Sequence, residues 1–312
     1  MVLDRESARR ELRDDPVTKK RLHTNAKVNL FLSVLGRRPD GYHEIETIFH
    51  TIGLADSLTF TPSTTGGIEI DMRSDAGPME MPPPEENLVH RAAELLRERR
   101  SGVEDVCIEI VKRIPIGAGL GGGSGNAAGA LVALNALWDV GLNSGELGEL
   151  AGNLGADVPY CITGGTALAT GRGEQVTPLP QPAPLWLVLG LSDHPLYTSD
   201  VYGNFDPKRD AAGARSLPLA QALERGENEK VAALVHNDLE RPAFRLRPEL
   251  EDGKAAMLEA GATGALMAGS GPTIFAIARD ARHAATIAGR IEPAFDRVEV
   301  TSSKPECIER LD

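Results

Sequence analysis

Ile114-Pro-Ile-Gly-Ala-Gly-Leu-Gly-Gly-Gly-Ser-Gly-Asn126 follows an apolar, strand-like run, Val106 to Val111, and precedes a helix-like run, Ala127 to Trp138. Six glycines and one serine fall within it. Glycine lets the backbone reach positive φ and approach a ligand closely. In front of a helix, its N–H groups add to the positive end of the helix dipole and make a cradle for an anion. The anion suited to so many donors is a polyphosphate.

Several architectures place glycines this way. Gly117, Gly119 and Gly122 spell G-x-G-x-x-G, the turn of a dinucleotide-binding fold and so of an NAD-dependent dehydrogenase. That fold wants a second strand ending in an acid about 20 residues later. Asp139 has the spacing, but it ends a helix-like run and no strand pattern follows. A P-loop needs Lys-Ser or Lys-Thr after its last glycine; Ser124 and Gly125 stand there instead. A third architecture is a phosphate cradle with no lysine of its own. Backbone N–H groups wrap the phosphates, and the Ser124 hydroxyl reaches a phosphate or Mg²⁺. The charges that drive the chemistry must then come from elsewhere in the chain.

Composition narrows the class. The 312 residues suffice for one large domain or two ordinary ones. A net charge of −12 argues against a nucleic-acid surface or membrane adsorption, and no apolar run is long enough to cross a bilayer. A phosphate pocket in so acidic a chain must build positive potential locally. Cys107, Cys161 and Cys307 form no closed disulfide set and have no metal-ligand spacing, which fits a reducing cytoplasm. Residues 1–21 mix acidic and basic side chains without the apolar core of a secretory signal, and read as a charged, disordered tail.

From His23 to Leu35 the pattern alternates. Ala26, Val28, Leu30, Leu32 and Val34 share one strand face, with Lys27 and Asn29 together on the other. The turn Arg38–His43 follows, then strand-like runs at Ile45–Ile52 and Ser57–Thr61, and a Gly- and Pro-rich hairpin and loop from Gly66 to Pro84. Asn87–Arg100 is an amphipathic helix. Past the glycine loop, a helix from Asn143 or Ser144 ends at Gly155, and Ala156-Asp157-Val158-Pro159 reads as the next loop. Glycine turns at 164–165 and 171–173 separate short strands. The proline-rich segment 178–184 is the best domain boundary. Leu185–Leu191, Thr273–Ala278 and Arg297–Thr301 read as strands; Leu217–His236, Pro248–Ala260 and Ala281–Ile291 read as helices. Without regular βαβ spacing, this order predicts an α+β fold.

Taken alone, a lysine on the polar face of a strand is a solvated residue, and an aspartate before Val-Pro is a turn former. A resemblance lifts both. Asn25-Ala-Lys-Val-Asn-Leu-Phe-Leu32, Asp40-Gly-Tyr-His43, Pro115–Ser124, Leu154-Gly-Ala-Asp-Val-Pro159 and Ala268-Gly-Ser-Gly-Pro-Thr273 occur in the order found in the galactokinase, homoserine kinase, mevalonate kinase and phosphomevalonate kinase superfamily. The chain resembles that superfamily from about residue 22 to near its end. The Lys-Val-Asn-Leu and Asp-Gly-Tyr-His segments point within it to the branch acting on 4-diphosphocytidyl-2-C-methyl-D-erythritol.

The resemblance implies a two-lobed small-molecule kinase. An ATP-binding and catalytic lobe over 22–180 would hold a mixed sheet and the glycine-rich phosphate loop. A ferredoxin-like α/β-sandwich lobe over 185–306 would hold substrate, with 307–312 as a tail. Lys27 and Asp157 match the catalytic pair. The cofactors implied are ATP, held by Pro115, Ile116, Gly117, Ala118, Gly119, Leu120, Gly121, Gly122, Gly123, Ser124, Gly125 and Asn87, and Mg²⁺ carried on ATP. Asn29 would orient the substrate, His43 would bond the cytosine edge, Tyr42 and Tyr202 would sandwich the ring, and Gly269, Ser270 and Gly271 would face the phosphates. Gly125 departs from the pattern, since the family often carries serine there. The expected partner is the small-molecule substrate alone, with the chain a monomer or weak homodimer. Another small-alcohol kinase of the homoserine or mevalonate type is the alternative within the superfamily.

Overall fold

In the computed structural model, which describes residues 19–64, 66–75 and 82–311, the alternating run forms one long strand, β1 (Lys20–Arg37). The tail expected over 1–21 lies outside the described residues as far as residue 18, and Lys20 and Arg21 already belong to β1. β1 pairs antiparallel with β2 (His43–Ser63), so the two strands expected at Ile45–Ile52 and Ser57–Thr61 are one. Extra residues taken up at Asn25/Ala26 and at Asn29/Phe31 bend this ladder while keeping it continuous. The second irregularity divides the apolar face of β1. Ala26, Val28 and Leu30 enter one core together with Phe31, while Leu32 and Val34 enter another.

β3 (Ile68–Ser74) runs parallel to β4 (Asp105–Lys112) at the sheet edge, inside the segment expected as hairpin and loop. Between them lies α1 (Leu88–Arg99), capped by Asn87, whose Oδ1 accepts the Val89 N–H. The glycine loop leads into α2 (Gly122–Leu137), which starts five residues before the expected Ala127. The glycines disguise the helix in sequence because they serve contact rather than propensity. A Cβ on Gly129 would meet Thr24 Cγ2 at 2.8 Å and Leu22 Cδ1 at 3.0 Å, so α2 sits directly on β1. α3 (Ser144–Gly152) opens with a capping box between Asn143 and Glu146. α4 (Val158–Thr163) starts inside the segment expected as a loop, since Pro159 fits the first turn of a helix. β5 (Thr166–Thr170) and β6 (Gln175–Pro178) follow.

β7 (Trp186–Leu191) opens the second sheet. After it come α5 (Thr198–Gly203), α6 (Leu217–Glu224), α7 (Asn228–Leu234) and the short strand β8 (His236–Asn237). α8 (Glu249–Glu259), β9 (Gly264–Met267), β10 (Ile274–Ala278), α9 (Ala281–Ile291) and β11 (Arg297–Ser302) complete the lobe. Its strand order is β11-β7-β10-β9, antiparallel throughout, which is the expected ferredoxin-like sandwich. The period-two pattern of β7 joins the lobes: Leu187, Leu189 and Leu191 share a core with Ala26, Val28 and Leu30, while Val188 faces Leu250, Met257 and Ile287 of the helical layer.

β12 (Ile308–Arg310) crosses back and pairs antiparallel with β1. Residues 307–312, expected as a tail, therefore hold a strand anchored by buried Cys307, whose backbone carbonyl accepts the Asn25 N–H. The first sheet then reads β12-β1-β2-β4-β3, with β5 beside β2, β6 beside β5 and β8 parallel to β1, a mixed sheet as expected.

Candidate active site

A cleft of about 1400 Å³ is lined from both lobes. At its centre Lys27, expected from spacing alone to be solvated, is only 4 % exposed. Its ammonium lies 3.2 Å from the Asp157 carboxylate and 5.1 Å from the centre of the Phe49 ring. It also donates to Asn29 Oδ1 at 2.9 Å. The Asn29 amide donates in turn to Thr47 Oγ1, whose hydroxyl donates to the Phe31 carbonyl. That relay fixes the amide with its oxygen toward the ammonium. Asp157 occupies the N-cap position of α4 but makes no side-chain cap bond, so its carboxylate is not held by the helix.

Two glycine turns close on this pair. Gly117, Gly119 and Gly121 all have positive φ, near +70° to +75°. A Cβ on Gly121 would come within 2.9 Å of Lys27 Cγ, and one on Gly119 within 2.2 Å of the Ala268 carbonyl. The second turn enters from the other lobe. A Cβ on Gly269 would stand 3.2 Å from Asn29 Oδ1 and 3.4 Å from Lys27 Nζ. Asn237 holds this turn through bonds from its amide to the Met267 and Gly269 carbonyls, and Ser270 Oγ lies 2.9 Å from Thr198 Oγ1. Gly121 caps α2 without any side-chain bond. The first turn of that helix therefore presents N–H groups that have no intrahelical partner to the cleft.

Pro115 through Ser124 and Asn87 line the cleft; Gly125 does not. Its α-carbon faces β1, where a Cβ would lie 3.6 Å from Thr24 Cβ. Gly271 also turns away, toward Met267 and Leu196, while Gly269 and Ser270 reach the wall.

At the far end the rings are arranged differently from a simple sandwich. His43 and Tyr202 stack on each other, 5.0 Å apart, and Phe205 packs edge-on to His43. Tyr42 stands exposed with the Arg172 guanidinium 5.0 Å over its ring. Burial, then the nearby Arg37 charge, pushes the His43 pKa below its ordinary value, so the ring is neutral and offers one donor and one acceptor. Burial, then the Asp157 charge, pushes the Tyr202 phenol up and keeps it protonated. Sequence reasoning missed Thr47, Phe49, Arg172 and Phe205. Of these, Thr47 and Phe49 sit at alternate positions of β2, Phe49 opposite Asn29 and Thr47 opposite Leu32 past the irregularity in the ladder, and only the strand register reveals it.

The dinucleotide reading fails on Asp139. It ends α2 with positive φ, its side chain is 92 % exposed, and it pairs with Arg100 rather than closing a strand. Among the described residues no cluster of His, Cys, Asp or Glu could hold a metal by itself, and no helix is long and apolar enough to cross a membrane.

Residues 87–165 match the GHMP kinases N terminal domain and residues 219–296 the GHMP kinases C terminal domain. The 4-diphosphocytidyl-2-C-methyl-D-erythritol kinase of Pelotomaculum thermopropionicum is 44 % identical, covering 88 % of this chain and 95 % of that protein. The enzyme of the same name from Moorella thermoacetica is 41 % identical, again over 88 % and 95 %. A crystal structure of 4-(cytidine 5'-diphospho)-2C-methyl-D-erythritol kinase superposes with a TM-score of 0.77 at 38 % identity, over 91 % of this chain and 98 % of the other. Homoserine kinase from Cytophaga hutchinsonii shares the fold, with a TM-score of 0.76 at 22 % identity over 94 % and 97 %. This chain belongs to the GHMP kinases and, within them, to the 4-diphosphocytidyl-2-C-methyl-D-erythritol kinase family.

Proposed function

We propose that this kinase transfers the γ-phosphoryl group of ATP to the 2-hydroxyl of 4-diphosphocytidyl-2-C-methyl-D-erythritol, in non-mevalonate isoprenoid precursor biosynthesis. The observation that carries the reading is the Lys27–Asp157 pair, set between two glycine turns from different lobes. Asp157 takes the proton of the hydroxyl as its oxygen attacks the γ-phosphorus, and the bridging oxygen leaves with ADP. Lys27 stabilises the charge on the attacking oxygen and on the phosphoryl oxygens in flight. Asn29 holds the Lys27 ammonium in place and orients the substrate.

The Pro115–Ser124 loop cradles the ATP phosphates through the backbone N–H groups of Ile116–Ser124, with Asn87 at the adenine side. Mg²⁺ enters with ATP, and the Ser124 hydroxyl, which lines the cleft, is available to it. The metal supplies neutralisation of phosphate charge. His43 reads the cytosine edge, Tyr42 and Tyr202 flank the ring, and Gly269 and Ser270 face the phosphates. An acidic chain binds two polyanions here because its positive potential is local, in Lys27 and in oriented N–H groups.

A coupled ADP-release assay with three acceptors tests the reading. Turnover with the cytidyl substrate and not with homoserine or mevalonate is expected. Turnover with either of the latter alone would reassign the substrate. The fold shared with homoserine kinase makes that comparison the discriminating one.

A further inference from the structure

One buried charge cluster reaches the cleft wall through Lys112 and Asn126 and is not among the residues assigned to the transfer. Asp56 of β2 is fully buried, and four donors converge on its carboxylate. Two are backbone N–H groups, of Arg113 at 2.7 Å and Ile114 at 3.0 Å, where the chain leaves β4 and enters the glycine loop. A third is the Asn126 amide at 2.9 Å, in α2 just past the loop. The fourth is the Lys112 ammonium, which also donates to Asn126 Oδ1 at 3.0 Å. The Asn126 amide also reaches Thr24 Oγ1 at 2.8 Å, tying the group to β1. A Cβ on Gly122 would lie 3.1 Å from Lys112 Nζ and 2.8 Å from Ile114 Cγ2, so the first residue of α2 rests on this cluster.

We propose that Asp56 is a positioning residue for ATP: it sets both ends of the phosphate loop at once, through Arg113 and Ile114 at the entry and Asn126 at the exit. A buried ion pair is a poor device for stability alone, because a well-packed apolar pair of the same volume is often as stable or more so. What an apolar pair cannot do is hold two particular backbone N–H groups and an amide in fixed directions. The loop itself has little means of fixing its own path, since glycines dominate it and Gly117, Gly119 and Gly121 lie in the left-handed region. An external anchor at each end is the physical solution. Asp56 touches neither substrate nor ATP phosphates; through Arg113, Ile114 and Asn126 it fixes the two ends of the loop whose other N–H groups do.

This inference rests on the proposed assignment of the loop to ATP, and the test keeps the two separable. ATP and the cytidyl substrate are titrated separately by calorimetry into the full-length chain and into Asp56→Asn. Amide hydrogen exchange is followed over residues 113–126. Asparagine keeps the volume and an oxygen for the Arg113 and Ile114 N–H groups, but its NH2 then faces the Lys112 ammonium and the Asn126 amide, so the anchor at the loop exit and the ion pair are lost. We expect ATP binding weakened about tenfold or more, affinity for the cytidyl substrate within about twofold, and faster exchange confined to the loop and first turn of α2.

ATP affinity within twofold of the parent, or equal weakening of both ligands, overturns the proposal. If Asp56→Asn does not fold, the double variant Asp56→Leu/Lys112→Met removes both charges together, and its loop exchange decides: parental protection overturns the proposal. A parent that binds ATP without phosphorylating the cytidyl substrate would sink the functional reading and leave this test intact.

Discussion

The Lys27 ammonium and the Asp157 carboxylate lie 3.2 Å apart, although one sits before the glycine loop in sequence and the other after it. β1 and α4 bring them together, with Lys27 nearly buried and Asp157 about one-third exposed at the cleft wall. A carboxylate so placed reaches an incoming hydroxyl, while the ammonium stays dry enough to act on developing charge. Asp157→Asn keeps the shape and removes the proposed base. We expect kcat to fall by about 10² to 10⁴ and ATP affinity to change little. Single-turnover kinetics with separately measured ATP binding checks this; a wild-type kcat would remove Asp157 as the base.

His43 permits a test of base recognition that separates ring stacking from hydrogen bonding. His43→Phe keeps a ring against Tyr202 but offers no ring nitrogen to a base; His43→Ala loses the stack as well. Loss of one neutral hydrogen bond costs about 1 kcal/mol and leaves a buried partner unsatisfied. KM for the cytidyl substrate should rise about tenfold in the phenylalanine variant and further in the alanine variant, with KM for ATP unchanged. An unchanged KM for the cytidyl substrate in both would show that His43 does not touch the base.

Much of this site was legible through the family resemblance, since type and spacing alone left Lys27 a solvated residue and Asp157 a turn former. Spacing did put Lys27 and Asn29 on one strand face, because they are two apart, while Asn87 entered only through the resemblance and its capping of α1 shows in the fold. Three physical circumstances hid the rest. The first turn of α2 is made of Gly122, Gly123, Ser124 and Gly125, poor helix formers placed there for close approach and exposed N–H groups. The irregularity between Asn29 and Phe31 moves Leu32 and Val34 to a different core, and no local pattern announces a one-residue slip. The partners of Asp56 come from the end of β4, the loop entry and α2, so the cluster exists only in the folded chain.

Gly119 and Gly41 separate crowding from backbone strain. Gly41 has φ of +89° with open space around a Cβ, whereas Gly119 has φ of +75° and a Cβ would collide with the Ala268 and Gly271 carbonyls. Gly41→Ala should cost about 1–2 kcal/mol, the price of the left-handed conformation. Gly119→Ala adds overpacking against backbone that cannot yield, so about 3 kcal/mol or more is expected, with the contact between the two glycine turns broken. Urea midpoints measured on both variants check the order. A Gly119→Ala variant as stable as Gly41→Ala would mean that the turns are not packed as described.

His50 gives the fold a pH dependence whose sign is fixed by its burial. Its Nδ1 bonds Thr166 Oγ1 at 2.8 Å and its Nε2 bonds Ser303 Oγ at 2.7 Å, where Ser303 also accepts the Leu185 N–H at the start of the second lobe. Burial lowers its pKa from 6.5 to about 4, so the folded chain keeps the ring neutral where the unfolded chain would protonate it. Between those values the unfolded state binds the extra proton. Stability from this group is therefore complete above about pH 6.5 and is lost as pH falls toward 4, by up to about 3 kcal/mol. Because Ser303 and Leu185 share the contact, the loss falls on the junction of the lobes. His50→Gln, which does not titrate, should show a shallower fall in Tm between pH 7 and 4.5 than the parent. Equal slopes for the two proteins would show that another group carries the acid sensitivity.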